Sequence, residues 1–224
     1  MGGVIWRVTQ GITKSVRKGG NWYIRRVYLR ALMGAIVLRV WLFLDIMVSW
    51  YLNLKPLRQD KITTINVRLR RHRGEPVKLD DGSVVNPKDL LIEVHLNNAW
   101  FLRKRTMMHS PGKIGWEFLS AFSEDLKYLA KQVSEGIFAS EIKTIHGRTL
   151  LRQDQGSQRL GFTVVDLPNT LWRRLSEFYR AGLRQAYYPE WARRPATKAK
   201  PLVLKEVWMS RRKLLQRYGP SAGG

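Results

Sequence analysis

The sequence predicts an α+β fold in which an antiparallel or mixed sheet carries helices on one face. Apolar and polar residues alternate along residues 65–70 and 90–97, as they do in half-buried strands. Between residues 115 and 138 the apolar positions instead recur every three or four residues, which is typical of an amphipathic helix. From residue 90 onward the order is strand, helix, strand, strand, helix, strand. This order predicts a split β-α-β, ferredoxin-like sandwich.

The first 55 residues are predicted to lie outside that sandwich. Residues 1–30 form a basic leader that contains no acidic residue. Residues 31–55 form an apolar or amphipathic helix, in which Arg39 and Asp45 interrupt a run long enough to span a bilayer. The pattern leaves open whether this helix lies in the membrane interface, packs its apolar side on the domain, or spans the membrane.

Residues 62–190 are predicted to form the α+β domain, which an N-terminal β-hairpin segment extends. Asp80-Asp81-Gly82 separates two short apolar runs and suits a tight turn, because glycine tolerates positive φ. Two later strands are expected at residues 142–151 and 159–167. The helix that follows Asn169, its expected N-cap, should turn Leu171, Leu175 and Phe178 inward. Residues 191–224 are expected to form a basic linker, a strand and a short helix.

Several of these segments resemble a known family. Residues 62–102 read ITTINVRLRRHRGEPVKLDDGSVVNPKDLLIEVHLNNAWFL, residues 144–150 read TIHGRTL and residues 159–168 read RLGFTVVDLP. They are similar to the YkoP-like domain family, and the likeness extends over residues 45–187. Members occur alone or fused behind a polysaccharide deacetylase domain, so the resemblance implies a setting beside polysaccharide-modifying enzymes of the cell envelope. It implies no reaction, because the biochemical activity of the family's own domain is not established.

The net charge is the strongest compositional feature. The chain has 40 Lys and Arg against 17 Asp and Glu, which gives +23. Such a surplus predicts an anionic partner, namely a membrane surface or an envelope polysaccharide. Nucleic acid is the weaker expectation, because no recognisable nucleic-acid-binding motif is present. The chain has no cysteine, which excludes disulfides, thiolate nucleophiles and cysteine-ligated metals.

Basic side chains in and after the predicted strands are the candidate anion-binding residues. The arginine fork suits phosphate and carboxylate groups, and a nearby indole such as Trp100 adds a stacking face. A strand edge guarded by charge is the competing interpretation. The candidates are Arg68, Arg70, Arg71, Arg73, Arg103, Lys104 and Arg105.

Glu93, His95 and Asn97 are the candidate catalytic residues, because every second residue of a strand points to the same face. A histidine near its ordinary pKa suits a general base or a ligand. His146 is the fourth candidate, but a split β-α-β sheet would insert a strand between it and Glu93, about 10 Å away. We therefore interpret these residues as part of a solvated or hairpin-covered sheet face, produced by the usual alternation of side chains along a strand, and not as a catalytic site.

No sequence motif indicates a metal, a nucleotide cofactor or a hydrolase. The phosphate-binding patterns G-x-x-x-x-G-K-[ST] and G-x-G-x-x-G are missing, as are G-x-S-x-G and the deacetylase metal motif. The sequence thus predicts no metal and no cofactor, and it argues against catalysis. The leading hypothesis is an accessory domain of the cell envelope, bound peripherally to the cytoplasmic side of the membrane or located in the cytoplasm. The alternatives are an enzyme of unrecognised type that uses His95 and Asn97, and a nucleic-acid-binding module.

Overall fold

The computed structural model describes Ile36 and residues 39–107, 111–151, 154–187 and 202–220. The chain separates into two compact units, Met1–Ile46 and Met47–Gly224. Helix α1 covers residues 39–51 of the predicted apolar helix, whereas the basic leader lies outside the described residues. Within the described ranges, no helix has both the length and the apolar character that crossing a membrane requires.

The described residues form one six-stranded sheet and one separate pair of strands. The order in the large sheet is β1-β2-β5-β6-β8-β7, and β3 pairs with β4. The strands are β1 (Lys55–Pro56), β2 (Ile65–Arg71), β3 (Val77–Lys78), β4 (Val84–Val85), β5 (Leu90–Leu96), β6 (Thr144–Leu151), β7 (Thr163–Asp166) and β8 (Val203–Ser210). The later helices are α2 (Asn98–Met107), α3 (Pro111–Ser134), α4 (Gln155–Arg159), α5 (Leu171–Tyr187) and α6 (Arg211–Tyr218).

The fold is mixed α+β with a mostly antiparallel sheet, as predicted, but its strand order differs from the split β-α-β arrangement. β5 and β6 are direct parallel neighbours, and no strand lies between them. The partner on the other side of β6 is β8, which pairs with β6 over its full length, from Thr144 opposite Ser210 to Leu151 opposite Val203. The four-residue β7 is too short to cover β6 and lies outside β8 at the sheet edge.

One face of the sheet is apolar and carries the main core. The alternating residues of the strands turn Ile65, Ile92, Ile145 and Met209 to this face. The amphipathic stripe of α3 packs against them, and Leu214 of α6 joins the same cluster. The α3 residues in this cluster are Phe122, Leu126, Leu129, Ala130 and Val133.

The opposite face is polar, and the β3–β4 hairpin covers one end of it. Leu79 and Val85 of the hairpin segment pack against Leu91 and Trp208. Asp81 in the turn accepts a hydrogen bond of 2.5 Å from Ser210 Oγ, and Ser210 Oγ also accepts from the backbone N–H of Lys213. Ser210 is therefore both the N-cap of α6 and the attachment point of the hairpin.

Helix α5 lies with its polar side toward the sheet, contrary to the predicted orientation. Leu171 and Leu175, expected to face inward, are 74% and 53% exposed, and Phe178 is exposed as well. On the inner side, Glu177 Oε1 accepts a hydrogen bond of 3.0 Å from the backbone N–H of Leu204 in β8. The prediction of helices on one face is therefore corrected: α3 and α6 cover the apolar face, whereas Arg180 of α5 interacts electrostatically with Arg148 and Glu93 of the polar face.

Candidate functional site

A row of side chains crosses the polar face from β2 to β8. Arg68 is paired with Glu93, Glu93 with His146 and His146 with Trp208, each on the neighbouring strand. Side chains at paired positions point to the same face, about 5 Å apart. The predicted separation of Glu93 and His146 by an intervening strand is therefore wrong, because the two residues lie on adjacent strands.

Glu93 is the central carboxylate of this row and is only 6% exposed. Its Oε2 accepts a hydrogen bond of 2.7 Å from Arg68 Nε and lies 3.6 Å from Arg70 Nη1. Its Oε1 lies 3.5 Å from His95 Nε2. Burial alone would raise the pKa of Glu93, but the contact with His95 and the charges of Arg70 and Arg68 outweigh burial and lower the pKa well below its ordinary value. Glu93 is therefore ionised.

Glu206 on β8 is the second carboxylate of the polar face. Its Oε1 accepts a hydrogen bond of 2.9 Å from Arg148 Nε and lies 2.8 Å from Arg148 Nη2. The same oxygen lies 3.4 Å from His146 Nε2. Burial opposes the ionisation of Glu206, yet its contacts with His146 and Arg148 lower its pKa to about 2. Glu206 and Arg148 thus form an ion pair next to the row.

His146 is completely buried beside this ion pair. Its exposed fraction is 0%, and its ring centroid lies 4.1 Å from that of Trp208. Burial lowers the pKa of His146 below its ordinary value, and the attraction of Glu206 offsets this effect only in part. The imidazole is therefore neutral at neutral pH, and its ring offers no exposed surface for a substrate to contact.

Two further arginines bring positive charge to the same face without full pairing. Arg70 Nε is buried and has no hydrogen-bond partner in the described part of the chain. No hydrogen bond joins Arg180, on α5, to another described residue. Burial lowers the pKa of both guanidinium groups, and the charge of Arg148 lowers both further.

We call this set the arginine layer. It consists of the four arginines together with the two carboxylates that hold them. Its four guanidinium groups face two carboxylates, so the set itself has a surplus of two positive charges. Its members are Arg68, Arg70, Arg148, Arg180, Glu93 and Glu206.

The structure divides the basic residues predicted on β2. Arg68 and Arg70 belong to the arginine layer. Arg71 and Arg73 are exposed, and Arg71 Nη1 donates a hydrogen bond of 3.0 Å to the backbone oxygen of Lys88. The four arginines therefore do not form one surface patch.

Among the basic residues predicted after β5, Lys104 pairs with a carboxylate of α3 and not with one of the arginine layer. Lys104 Nζ lies 2.7 Å from Glu117 Oε2 on α3 and 5.7 Å from the centre of the Trp100 ring. Arg103 is exposed, and the side chain of Arg105 lies outside those described. The pairing of Lys104 with Glu117 makes this residue a contact between two helices.

Asn97 does not join His95 at the site. Its Oδ1 accepts a hydrogen bond of 3.1 Å from the backbone N–H of Ala99, and its Nδ2 donates one of 2.9 Å to the backbone oxygen of Thr63. Asn97 is therefore the N-cap of α2, and its side-chain amide is committed to the backbone.

Sequence reasoning missed Arg148, Arg180, Glu206 and Trp208 as members of this face. Arg148 stands two residues after His146, so strand alternation alone would have placed the two side chains together. The same alternation relates Glu206 and Trp208 in the last strand. Arg180 had no such signal, because the apolar pattern of α5 indicated the opposite orientation.

A cavity of about 210 Å³ lies on the other face, between α3 and the sheet. Its lining is almost entirely apolar and includes Phe118, Phe122, Leu160 and Phe162. Arg148 of the arginine layer and the neighbouring His95 also line it, whereas the other five members of the layer do not. The described residues contain no group of three or more His, Asp or Glu side chains placed to hold a metal ion.

The chain is similar to proteins whose own function is not described. The model of the YkoP domain family matches residues 34–218. The "Uncharacterized protein YkoP" of Bacillus subtilis (strain 168) is 27% identical over 141 residues, which cover 63% of this chain and 76% of that protein. No solved structure matches the chain significantly.

Proposed function

We propose a function for this chain, which belongs to the YkoP domain family, from the geometry of its own residues. The similar protein of Bacillus subtilis is itself uncharacterised and supplies no function. The domain is an accessory module that binds anionic surfaces or polymers, and the arginine layer is its binding site. The observation that carries the proposal is the surplus of two positive charges on one half-buried sheet face, where a guanidinium nitrogen of Arg70 lacks an acceptor among the described residues.

The energetics of the free site support binding of an anion. Burial lowers the pKa of Arg70 and of Arg180, and the charge of Arg148 lowers both further, which indicates repulsion that burial leaves poorly screened by water. A bound anion relieves this repulsion and supplies the missing acceptors. The site is also reachable, because the side chains of Arg70 and Arg148 are 27% and 33% exposed.

The cellular setting that we propose is the envelope, at the cytoplasmic side of the membrane or in the cytoplasm. The partners in this proposal are anionic membrane surfaces or envelope polysaccharides, together with the enzymes that modify such polysaccharides. The family resemblance supports the polysaccharide pathway, and the net charge of +23 supports the anionic partner. The binding site itself does not depend on this setting.

A binding assay with two salt concentrations tests the proposal. The purified chain is mixed with vesicles of anionic phospholipid, with a teichoic-type polymer and with duplex DNA, at low and near-physiological salt. We expect binding to vesicles or polymer that weakens steeply with salt and shows no DNA sequence preference. No binding to vesicles or polymer at low salt would reject the proposal. Tight binding to one DNA sequence at physiological salt would favour the nucleic-acid alternative.

A pair of double variants separates the arginine layer from the total charge. Arg70→Gln with Arg180→Gln removes two charges from the layer. Lys113→Gln with Arg174→Gln removes two charges from exposed positions on α3 and α5. We expect the first pair to weaken binding much more than the second. Equal weakening by both pairs would show that overall charge, and not the layer, binds the anion.

A further inference from the structure

Helix α5 exposes a stripe of large apolar side chains. Four residues that fall within an arc of about 120° form this outward stripe: Leu171, Trp172, Leu175 and Phe178. Their exposed fractions lie between 53% and 74%. Surface helices of globular domains ordinarily turn such a stripe to the core. The apolar side of α5 is therefore presented to its surroundings.

Hydrogen bonds on the inner side hold α5 in this orientation. Arg173 Nη1 donates a hydrogen bond of 2.6 Å to the backbone oxygen of Leu167. Glu177 Oε1 accepts one of 3.0 Å from Arg173 Nε and another of 3.0 Å from the backbone N–H of Leu204 in β8. Rotating the helix to bury the outward stripe would break the bonds to Leu167 and Leu204. The stripe faces outward because the polar side of the helix is the side that the sheet binds.

The charge of α5 limits what can cover the outward stripe. The helix contains four arginines and one glutamate, which gives a net charge of +3. The glutamate, Glu177, is on the inner side and bonded to β8. Arg174, in contrast, is exposed and precedes Phe178 of the stripe by one helical turn. A complementary surface is therefore apolar where it meets the stripe and negative beside it.

An anionic lipid bilayer meets both conditions. Helices that lie in the membrane interface carry Trp, Phe and Leu on one side and basic residues elsewhere. The outward stripe has this composition, and the indole of Trp172 suits the boundary between headgroups and acyl chains. The net charge of +23 attracts the whole chain to a negative membrane surface.

We propose that α5 docks the protein on an anionic lipid bilayer, with the outward stripe inserted into the membrane interface and Arg174 at the level of the headgroups. The helix then lies in the plane of the interface and does not cross the bilayer. This inference rests on the proposed anion-binding function, because it names lipid as the anionic surface. Its contact site is nevertheless separate from the arginine layer, so the two proposals can be tested apart.

Two matched double variants test the contact. Trp172→Ser with Leu175→Ser removes two side chains of the outward stripe, whereas Trp116→Ser with Ile137→Ser removes a similar pair elsewhere. All four side chains are more than half exposed, so both variants should unfold at the wild-type midpoint.

Binding is measured by flotation with phosphatidylcholine vesicles that contain phosphatidylglycerol. We expect the α5 variant to bind roughly tenfold more weakly or less, because it loses apolar burial in the lipid. The control variant should bind like the wild type. Equal affinity of the α5 variant and the wild type would overturn the inference, as would equal weakening in both variants.

A soluble polymer separates this inference from the proposed function. Teichoic-type polymer offers negative charge without an apolar layer, so the α5 variant should bind it as the wild type does. Retention of both vesicle and polymer binding by the α5 variant would overturn the lipid contact and leave the anion-binding function standing. Equal loss of both would also overturn the lipid contact. Binding of neither partner by the wild type would overturn both proposals.

A single label locates the contact, because the chain contains no cysteine of its own. Leu175→Cys and the control Ile137→Cys each accept one environment-sensitive fluorophore. Anionic vesicles should shift the emission of the label at position 175 to shorter wavelength, and nitroxide lipids should quench it, with neither effect at position 137. Equal responses at both positions, or none at position 175, would contradict insertion. A shift that grows with protein concentration without lipid would identify a second copy of this chain as the occupant and overturn the inference.

Discussion

Glu93 and His146 lie opposite one another on the adjacent parallel strands β5 and β6, on the polar face of the sheet. Glu93 belongs to an ion pair with the neighbouring strand β2, and His146 lies beside an ion pair between β6 and β8. Glu93 is paired with Arg68, whereas His146 lies 3.4 Å from Glu206, which is paired with Arg148. A shift of one residue between β5 and β6 would turn Glu93 into the apolar core. The polar row therefore helps to specify the register of the parallel pair.

The role of Glu93 is tested by Glu93→Gln, which keeps the shape of the side chain and removes its charge. Arg68 and Arg70 would then lack their counter-charge in a half-buried place. We expect a loss of about 3 kcal/mol in the free energy of unfolding, as for other buried ion pairs that lose one partner. Urea unfolding of both proteins at pH 7 measures this difference.

Glu124→Gln is the matched control for that change. Glu124 is exposed and lies 2.9 Å from Lys127, one helical turn away. Its replacement should change the unfolding free energy by no more than about 0.5 kcal/mol. Similar losses in the two variants would contradict a special role for Glu93.

The pH dependence of stability should reveal the ion pair of Glu206. Its pKa is about 2 in the folded protein and close to 4.5 when free, so the unfolded state takes up a proton at a higher pH than the folded state. The stabilisation by ionised Glu206 is complete above pH 4.5 and is lost as the pH falls toward 2. We expect about 2–3 kcal/mol between wild type and Glu206→Gln at pH 7, and a shrinking difference below pH 4.5.

Unfolding of wild type and Glu206→Gln at pH 7, 5, 4 and 3 measures this trend. At low pH the protonated Glu206 resembles the glutamine that replaces it, which is why the two proteins should converge. A difference that stays constant from pH 7 to pH 3 would show that Glu206 is not a perturbed carboxylate.

Gly147 is expected to be intolerant of any side chain. A Cβ at this position would lie 2.9 Å from Val94 Cγ2, 3.2 Å from the Val94 backbone oxygen and 3.4 Å from Val207 Cγ2. Gly147→Ala should therefore destabilise the protein by about 1–3 kcal/mol, because the strands on both sides must shift. The unfolding midpoint in urea measures the change.

Gly156→Ala provides the control for this effect. Gly156 lies in the short helix α4, and a Cβ there would meet nothing within 4 Å. Its replacement should leave stability unchanged or raise it by up to about 1 kcal/mol. Equal destabilisation in both variants would rule out the crowding between Val94 and Val207 as the cause.

Local structure was predictable because it depends on the period of the side chains. The alternation placed Arg68 and Arg70 together on one face of β2, and Glu93 and His95 together on one face of β5, and the structure shows both strands. The period of residues 115–138 likewise predicted an amphipathic helix, and Phe122, Leu126 and Val133 of α3 lie in the core. These features follow from the geometry of a strand and a helix, which every residue repeats.

The pairing of distant segments was decided by the tertiary structure alone. Alternation shows which face a residue takes but not which strand lies beside it, so neither the pairing of Glu93 with His146 across β5 and β6 nor the ion pair of Glu206 with Arg148 was predictable. The orientation of α5 shows the same limit. Its apolar pattern predicted an inward apolar side, but Glu177 and Arg180 face a sheet surface that is itself polar. That surface exists only after β5, β6 and β8 have come together, because each strand supplies part of it.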